Sequence, residues 1–415
     1  MKKIILLISL LNIFFQIEAQ FSAIGKYVSY TNFVGIDELF IFYEINSDTE
    51  IIYNGSGNVI WYKFDNPTDP ISNLPSIYPE DATGYILKTD NETKTIWVID
   101  YQKYLPVFYS INVENAPEEQ CNELNLSFDA MVPELYYYAV NGIYHKIPRN
   151  FTLIYRSLEW NDGWKEIEKS KNIILPSSNL ISIPSPLCDT YFIIQGDDQF
   201  AQDLNLDNFT FQSSLYSALA LECHIKTTVT VRNEKNEAER PSVASILEGS
   251  SPLDMLLTAE VNQTNGVYYD WNIYKDKELL INRKDAEHRY TFDKAGTYQV
   301  YLTVNNGSCS ATDSIVVTVS ESKLEVPNVF TPNGDGINDE FRVAYQSLTQ
   351  FEAWIYNRWG RLVYHWNDPQ KGWDGTIGRK EAAEGPYFYI IKAVGADGKK
   401  YLKKGDINLL RGKKE

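Results

Sequence analysis

Histidine, cysteine and methionine are scarce in this 415-residue chain, with four His, four Cys and three Met. His145, His224, His288 and His365 lie far apart, and none sits in an HExxH, HxH or Cys-x-x-Cys array. No local zinc pattern exists, and each His reads as a surface or strand residue. Cys121, Cys188, Cys223 and Cys309 are too few for a small disulfide-stapled scaffold. At most two disulfides can form, and one is expected among Cys121, Cys188 and Cys223. No Gly-x-Ser-x-Gly elbow, P-loop or strand–Gly-x-Gly-x-x-Gly–helix unit occurs, so the local signatures of serine hydrolases and nucleotide binding are missing. No catalytic residue, cofactor or metal is expected. Positive charge is short as well. The 38 Lys+Arg face 55 Asp+Glu, a net charge of −17, which excludes a nucleic-acid partner because phosphates demand a basic face.

Long apolar runs are also lacking, with one N-terminal exception. Lys2 and Lys3 precede an apolar stretch over residues 4–15, and the small residue Ala19 follows. That stretch is well short of the ~20 residues a membrane-spanning helix needs and has the pattern of a secretory signal peptide. Cleavage is expected between Ala19 and Gln20, releasing an exported chain. No Cys follows the apolar run, so N-terminal lipidation is not expected.

What the chain has in quantity is aromatic residues: 29 Tyr, 19 Phe and 9 Trp. Set among Ile, Val and Thr, they favour β-structure. ELFIFYEI (38–45) and NVIWYKF (58–64) read as strands parted by the turn-forming YNGSGN. GYILKT (84–89) and KTIWVID (94–100) read as a hairpin around a polar four-residue loop. Trp61 resembles the buried strand-C tryptophan of immunoglobulin-like sandwiches, which gives a first sandwich over residues 20–116. LNLSF, LYYYAV, FTLIYRSLEW, TYFIIQG and YSALALECHIKTTVTVR supply a second over 117–236, with SSLYSALALE the one stretch where a helix competes. The charged NEKNEAERP (233–241) reads as a linker. A sugar-active site in residues 20–236 would draw on Glu159, Asp197 and Asp198 as carboxylates and on Trp160 and Trp164 as a ring platform. The ordinary alternative, that aromatics pack cores and acids tip loops, is favoured.

Residues 237–321 form a third module. YYDWNIYKD supplies a Trp-centred strand, HRYTFDKAGTYQVYLTV two strands about a turn, and DSIVVTV the last. Tyr290, Phe292, Gly296, Tyr298, Val300, Leu302 and Val304 fit a Y-x-F-x-x-x-G-x-Y-x-V-x-L-x-V pattern. This resembles PKD domains, Ig-like spacers or binding modules of surface proteins. The family's usual W-D-F-G-D-G turn is missing, since Asn272-Ile273-Tyr274 follow Trp271. Asp313-Ser314-Ile315 also fits a short O-glycosylation tripeptide common by chance.

VPNVFTPNGDGINDEF (326–341) raises the sharpest question. Scored as an EF-hand loop from Thr331, it places Asn333, Asp335, Gly336 and Asp339 at ligand or turn positions. It lacks both anchoring carboxylates, with Thr331 at position 1 and Arg342 at position 12. A turn shaped by Pro332, Gly334 and Gly336 is therefore favoured over a calcium site on Asn333, Asp335 and Asp339. FEAWIYNRWGRLVY, GWDGT, GPYFYIIKA and KKGDINLLR follow in order. Together these segments resemble the gliding-motility-associated C-terminal domain, the type B sorting domain of type IX secretion in Bacteroidota. The motif positions are Pro327, Asn328, Phe330, Pro332, Asn333, Gly334, Asp335, Gly336, Asn338, Asp339, Asn357, Arg358, Trp359, Gly360, Trp373, Asp374, Gly375, Gly385, Tyr387, Lys404 and Gly405. The resemblance implies recognition by an outer-membrane translocon, with help from a β-barrel partner, and delivery to the cell surface or medium. Residues 323–415 hold 15 Lys+Arg and 12 Asp+Glu, net +3, so the rest carries −20. Lys399, Lys400, Lys403 and Lys404 guard an edge strand or meet an acidic partner.

The expected architecture is all-β: a string of Ig-like β-sandwich domains behind a cleaved signal peptide. It comprises a signal peptide (1–19), two sandwiches (20–116, 117–236), a PKD-like domain (237–321) and the sorting domain (323–415). The expected role is that of a non-catalytic exported protein whose front modules bind a glycan or protein. The rivals are a carbohydrate-active protein and a structural part of the secretion or gliding apparatus.

Overall fold

The structure, a computed structural model, describes residues 20–176, 179–195, 198–206 and 210–411. The expected signal peptide, Ala19 and Asp197 lie outside them. Strands dominate, and the one α-helix among the described residues is Gln199–Asp203. The ambiguous SSLYSALALE stretch is not helical. Two compact units form. Of the described residues, the first takes 20–115, 123–157 and those within 166–217; the second takes 116–122, 158–165 and 218–411.

In the first unit, a five-stranded sheet runs Tyr27–Tyr30, Glu38–Phe42, Thr93–Asp100, Thr83–Thr89, Val59–Lys63. Thr83–Thr89 and Thr93–Asp100 are the expected hairpin. Glu38–Phe42 is parallel to Thr93–Asp100, with Leu39 opposite Trp97. One face packs Phe40, Phe42, Trp61, Leu87 and Val98 against Phe21 and Ile51 of a three-stranded sheet. The other face is buried too. Leu39, Ile41, Trp97 and Ile99 share a core with Leu135, Tyr137, Ile147 and Phe200. A strand covered on both faces loses polar alternation, which is why ELFIF and TIWVID read as near-continuous apolar runs. In that core, apolar side chains from both sides of position 116 pack together. A further core joins Phe108, Leu124, Leu126, Phe151, Leu153, Phe192 and Ile194, from a sheet ordered Leu180–Pro184, Glu123–Met131, Val107–Val113 and a second built around Arg149–Trp160.

The second unit holds two sandwiches. In the first, Cys223–Val229, Leu253–Val261 and Glu287–Phe292 face a five-stranded sheet ordered Glu248–Gly249, Ser310–Val319, Gly296–Asn305, Tyr268–Lys275, Glu278–Arg283. Trp271 is fully buried at its centre, and its indole N–H donates to Asp285 O at 2.9 Å. Tyr298, Val300, Leu302 and Val304 alternate inward as the spacing predicts. The disulfide corrects the sequence expectation: Cys121 pairs with Cys309, 188 residues away. The cause is placement, because residues 116–122 belong to the second unit and bring Cys121 to this sandwich. Cys188 and Cys223 are free thiols, and burial pushes the Cys223 thiol up to about 12.

The last sandwich is a five-stranded sheet ordered Val329–Phe330, Lys400–Leu409, Gly385–Gly395, Leu348–Tyr356, Leu362–Trp366. It closes over Phe330, Phe341, Trp373, Tyr387, Ile391 and Ile407. Residues 233–241 are no free linker, contrary to the charge-based reading. Ala238 N–H donates to Tyr345 O at 2.7 Å, and Tyr345 N–H to Asn236 O at 3.1 Å. Glu237 is buried here because Arg232 and Ser250 neutralise and hydrogen-bond its carboxylate, the condition under which a charge can leave water. Ser251 N–H, also buried, donates to Ser347 Oγ at 2.8 Å.

Candidate functional site

The PNGDG loop begins where Val329–Phe330 pairs in parallel with the end of Lys400–Leu409. Phe330 turns into the core, and the chain then reverses through Gly334, Gly336 and Asn338, all in the left-handed region at φ 84°, 86° and 53°. Glycine adopts such angles without steric cost, and Asn tolerates them better than most residues. Asp339 holds the loop shut. Its Oδ1 accepts from the N–H groups of Asn333 at 3.0 Å and Gly334 at 2.7 Å, and its Oδ2 from Gly336 N–H at 2.7 Å. These amide dipoles, Gly334 foremost, hold the Asp339 carboxyl below the usual carboxylate range. Asp335 Oδ1 accepts from Ile337 N–H at 2.7 Å, and Asn333 Oδ1 from Asp335 N–H at 3.1 Å. Lone pairs aimed at amide hydrogens are the geometry of a turn. No group of three or more His, Cys, Asp or Glu side chains placed to share a metal ion occurs among the described residues.

Three other motifs come to the same end of the sandwich. Trp373 is fully buried, rests edge-to-face on Tyr387 at 4.8 Å and lies 5.4 Å from Phe330. Its indole N–H donates to Thr376 O at 2.8 Å, while Asp374 Oδ1 accepts from the N–H of Thr376 at 2.9 Å. Gly375 has φ 74°, and a Cβ there would stand 2.9 Å from Pro332 Cγ. Glycine is therefore required where the WDG turn touches the PNGDG loop. Arg411, which carried no assigned role in the sequence, ties this corner by donating to Gly375 O at 3.0 Å and to Ala382 O. Gly385 pairs with Leu409, and Tyr387 Oη donates to Ala383 O at 2.9 Å. Asn328 O accepts from Asn408 N–H at 2.9 Å, and Pro327 lines a cleft of about 660 Å³ with Asn236, Glu325, Glu340 and Arg342.

Asn357, Arg358, Trp359 and Gly360 form a hairpin tip. Asn357 Oδ1 accepts from the N–H groups of Trp359 at 3.1 Å and Arg361 at 3.0 Å, and Gly360 has φ 76°. Lys404 and Gly405 stand apart from this corner, in the middle of the strand Lys400–Leu409, opposite Ile390 and Tyr389 and beyond the reach of Val329–Phe330, which pairs only with Asn408 and Leu409. A Cβ at Gly405 would lie 2.7 Å from Tyr389 Oη, so glycine makes room for that ring.

Of the described front-half candidates, Glu159, Trp160 and Trp164 belong to the second unit and Asp198 to the first. Asp198 is fully buried, 2.5 Å from the equally buried Arg149, and accepts from Tyr101 Oη at 2.9 Å. It also caps Gln199–Asp203 through the N–H groups of Phe200 and Ala201. This carboxylate is a structural anion. Glu159 is exposed. Trp160 and Trp164 meet edge-to-face at 5.1 Å rather than side by side, and His224 stacks flat on Trp160 at 4.5 Å. One face of the expected platform is therefore already covered. All four His lie on strands, and His145 and His365 stack on Tyr137 and Trp354. Burial holds His288 below the ordinary imidazole value.

Residues 324–409 match the family model of the CHU_C Type IX secretion signal domain. Residues 244–319 match the PKD domain, despite the missing W-D-F-G-D-G turn, and residues 112–213 match a fibronectin type III domain. The fibronectin match gives a family to part of the front half, where the motifs suggested none. Similar solved structures include a tetra-tandem repeat from the extending region of a large adhesion protein, at 9% identity over 87% of this chain and 94% of that one, TM-score 0.23. A Ca²⁺-stabilised adhesin with which an Antarctic bacterium binds ice is 8% identical over 88% and 93%, TM-score 0.19. Dimeric latent PorU from Porphyromonas gingivalis is 10% identical over 78% and 36%, TM-score 0.17. No curated protein matches the chain. The chain carries, in order, a fibronectin type III domain, a PKD domain and a type IX secretion signal domain that marks it for export to the cell surface or the extracellular space.

Proposed function

We propose that this is a non-catalytic, modular surface protein delivered by the type IX machinery with an outer-membrane β-barrel partner. Its fibronectin-type and neighbouring front modules bind an extracellular glycan or protein. The face read during export is the corner where four sequence-distant motifs meet. One observation carries that reading: Phe330, Pro332, Trp373, Gly375 and Tyr387, spread over 58 positions (387 − 330 + 1) of the sequence, pack into a single corner. Chemistry that requires a contiguous rigid surface is served by such convergence. The placement of Asp198 in an ion pair with Arg149 supports a non-catalytic front half. The test is to delete residues 323–415 in a host with a type IX pathway and locate the product. Retention in the periplasm is expected; normal surface display overturns the proposal.

A further inference from the structure

Trp359 is 75% exposed, more than any other large apolar side chain among the described residues. The hairpin that carries it does not need the indole. Trp359 contributes only its backbone N–H to the turn, which is closed by Asn357 Oδ1 and by Gly360 N–H on Asn357 O at 2.9 Å. Any residue at 359 would serve that purpose. The ring is nevertheless pre-oriented, because the Arg358 guanidinium carbon lies 4.2 Å from its centroid, within cation–π range.

The surroundings extend the same character. Across the outer face of the sheet, Leu362 pairs with Tyr356, Tyr356 with Phe388 and Phe388 with Asp406. Leu362 is 48% and Phe388 46% exposed. A sheet face turned to water ordinarily carries polar side chains, so this row is an unpartnered apolar strip beside the knuckle. Trp and Arg are the residue types that most often anchor protein interfaces. Arg358 and Arg361 flank Trp359 in the tip, while Asp406 lies opposite Phe388 at the far end of the row. They sit in a domain of net +3 on a chain of −17, so the complementary surface is acidic.

We propose that Trp359, braced by Arg358, is a docking knuckle that enters an apolar pocket rimmed by carboxylates on a protein of the export machinery. This rests on the reading of residues 323–415 as the export label. The contact differs from the PNGDG corner in being made by side chains that the fold itself does not use. Loss of the knuckle therefore leaves the domain folded.

The test uses the full chain in a host with a type IX pathway, scoring the exported fraction for Trp359→Ala, Trp359→Phe, Arg358→Glu and the deletion of 323–415. Melting temperatures of the purified proteins accompany each. At unchanged melting temperature, Trp359→Ala and Arg358→Glu are expected to lower export roughly tenfold, the effect of losing one interface anchor, while Trp359→Phe restores part of it. Normal export of Trp359→Ala and Arg358→Glu alongside a retained deletion variant overturns the knuckle and leaves the export reading standing. Export of the deletion variant overturns both. Trp359-dependent binding of the purified chain to phosphatidylglycerol vesicles would replace the acidic protein by an anionic lipid surface and overturn the proposal.

Discussion

The Glu237 carboxylate receives the Arg232 guanidinium at 2.6 Å through Nη2 and 3.3 Å through Nε, while the backbone of Glu237 is bridged to Tyr345. This pair sits where the PKD domain meets the secretion signal domain. Arg232 is 15% and Glu237 5% exposed at the side chain. Removing one partner strands a largely desolvated charge. Glu237→Ala should therefore cost about 3 kcal/mol, read as a lower denaturation midpoint of the full chain. An unchanged midpoint would mean the 233–241 segment is not clamped.

Asp339 links loop geometry to pH. Its folded value is lowered, so its contribution is fully present above the unfolded value of ~3.9 and is lost as pH falls through the lower folded value. Exchange protection of the Gly334 and Gly336 amides should hold from neutrality down to that range and then collapse. Asp339→Asn should abolish much of it at pH 7. Protection that is indifferent to both changes would remove Asp339 from its role.

Gly375→Ala combines two penalties, a left-handed backbone and a Cβ 2.9 Å from Pro332 Cγ. A loss of about 1–3 kcal/mol is expected. It should appear as a lower melting temperature, together with shifted resonances in residues 331–339. A neutral substitution would show that the WDG turn and the PNGDG loop are not packed together.

Cys121 and Cys309 close a loop of 188 residues. Restricting the unfolded chain over so long a span is worth about 5 kcal/mol on the entropic model. Cys121→Ser should lower the melting temperature, and a reductant should lower that of the native chain without further harming the variant. Mass mapping that finds Cys121 alkylated in the unreduced protein would disprove the pairing.

Asp198→Asn tests the buried ion pair of the first unit. Arg149 would keep two backbone carbonyls, Tyr104 O at 2.7 Å and Pro133 O at 2.9 Å, but lose its counter-charge. A cost of about 3–5 kcal/mol follows. Calorimetry that finds native stability in this variant would return Asp198 to the list of carboxylates available for chemistry.

Much of this was legible in the residues. Trp61 and Trp271 were identifiable as sandwich centres, and both are fully buried. Tyr298, Val300, Leu302 and Val304, spaced by two in the PKD-like pattern, all turn inward, because a half-buried strand repeats every two residues. The secretion signal was visible as ordered motifs. What escaped was set by distant partners. Leu39 and Trp97 sit in near-continuous apolar runs, but which elements cover the second face of their sheet is decided by residues 135–204, far along the chain. Glu237 belongs to a run that looks solvated, and only the approach of Arg232 and Tyr345 makes its burial tolerable. The corner formed by Pro332 and Gly375 needs the strand order of the sheet, which no single segment encodes. Trp160 and Trp164 meet edge-to-face rather than as a flat platform, and their third neighbour, His224, is 60 positions further on (224 − 164).

The covalent link between positions 121 and 309 also bears on transport. A polymer bonded to itself across 188 residues cannot be drawn through an orifice as one extended thread. While the bond is intact, at least two lengths must travel abreast, so any conduit that passes the oxidised chain must admit two strands side by side rather than a single bare peptide.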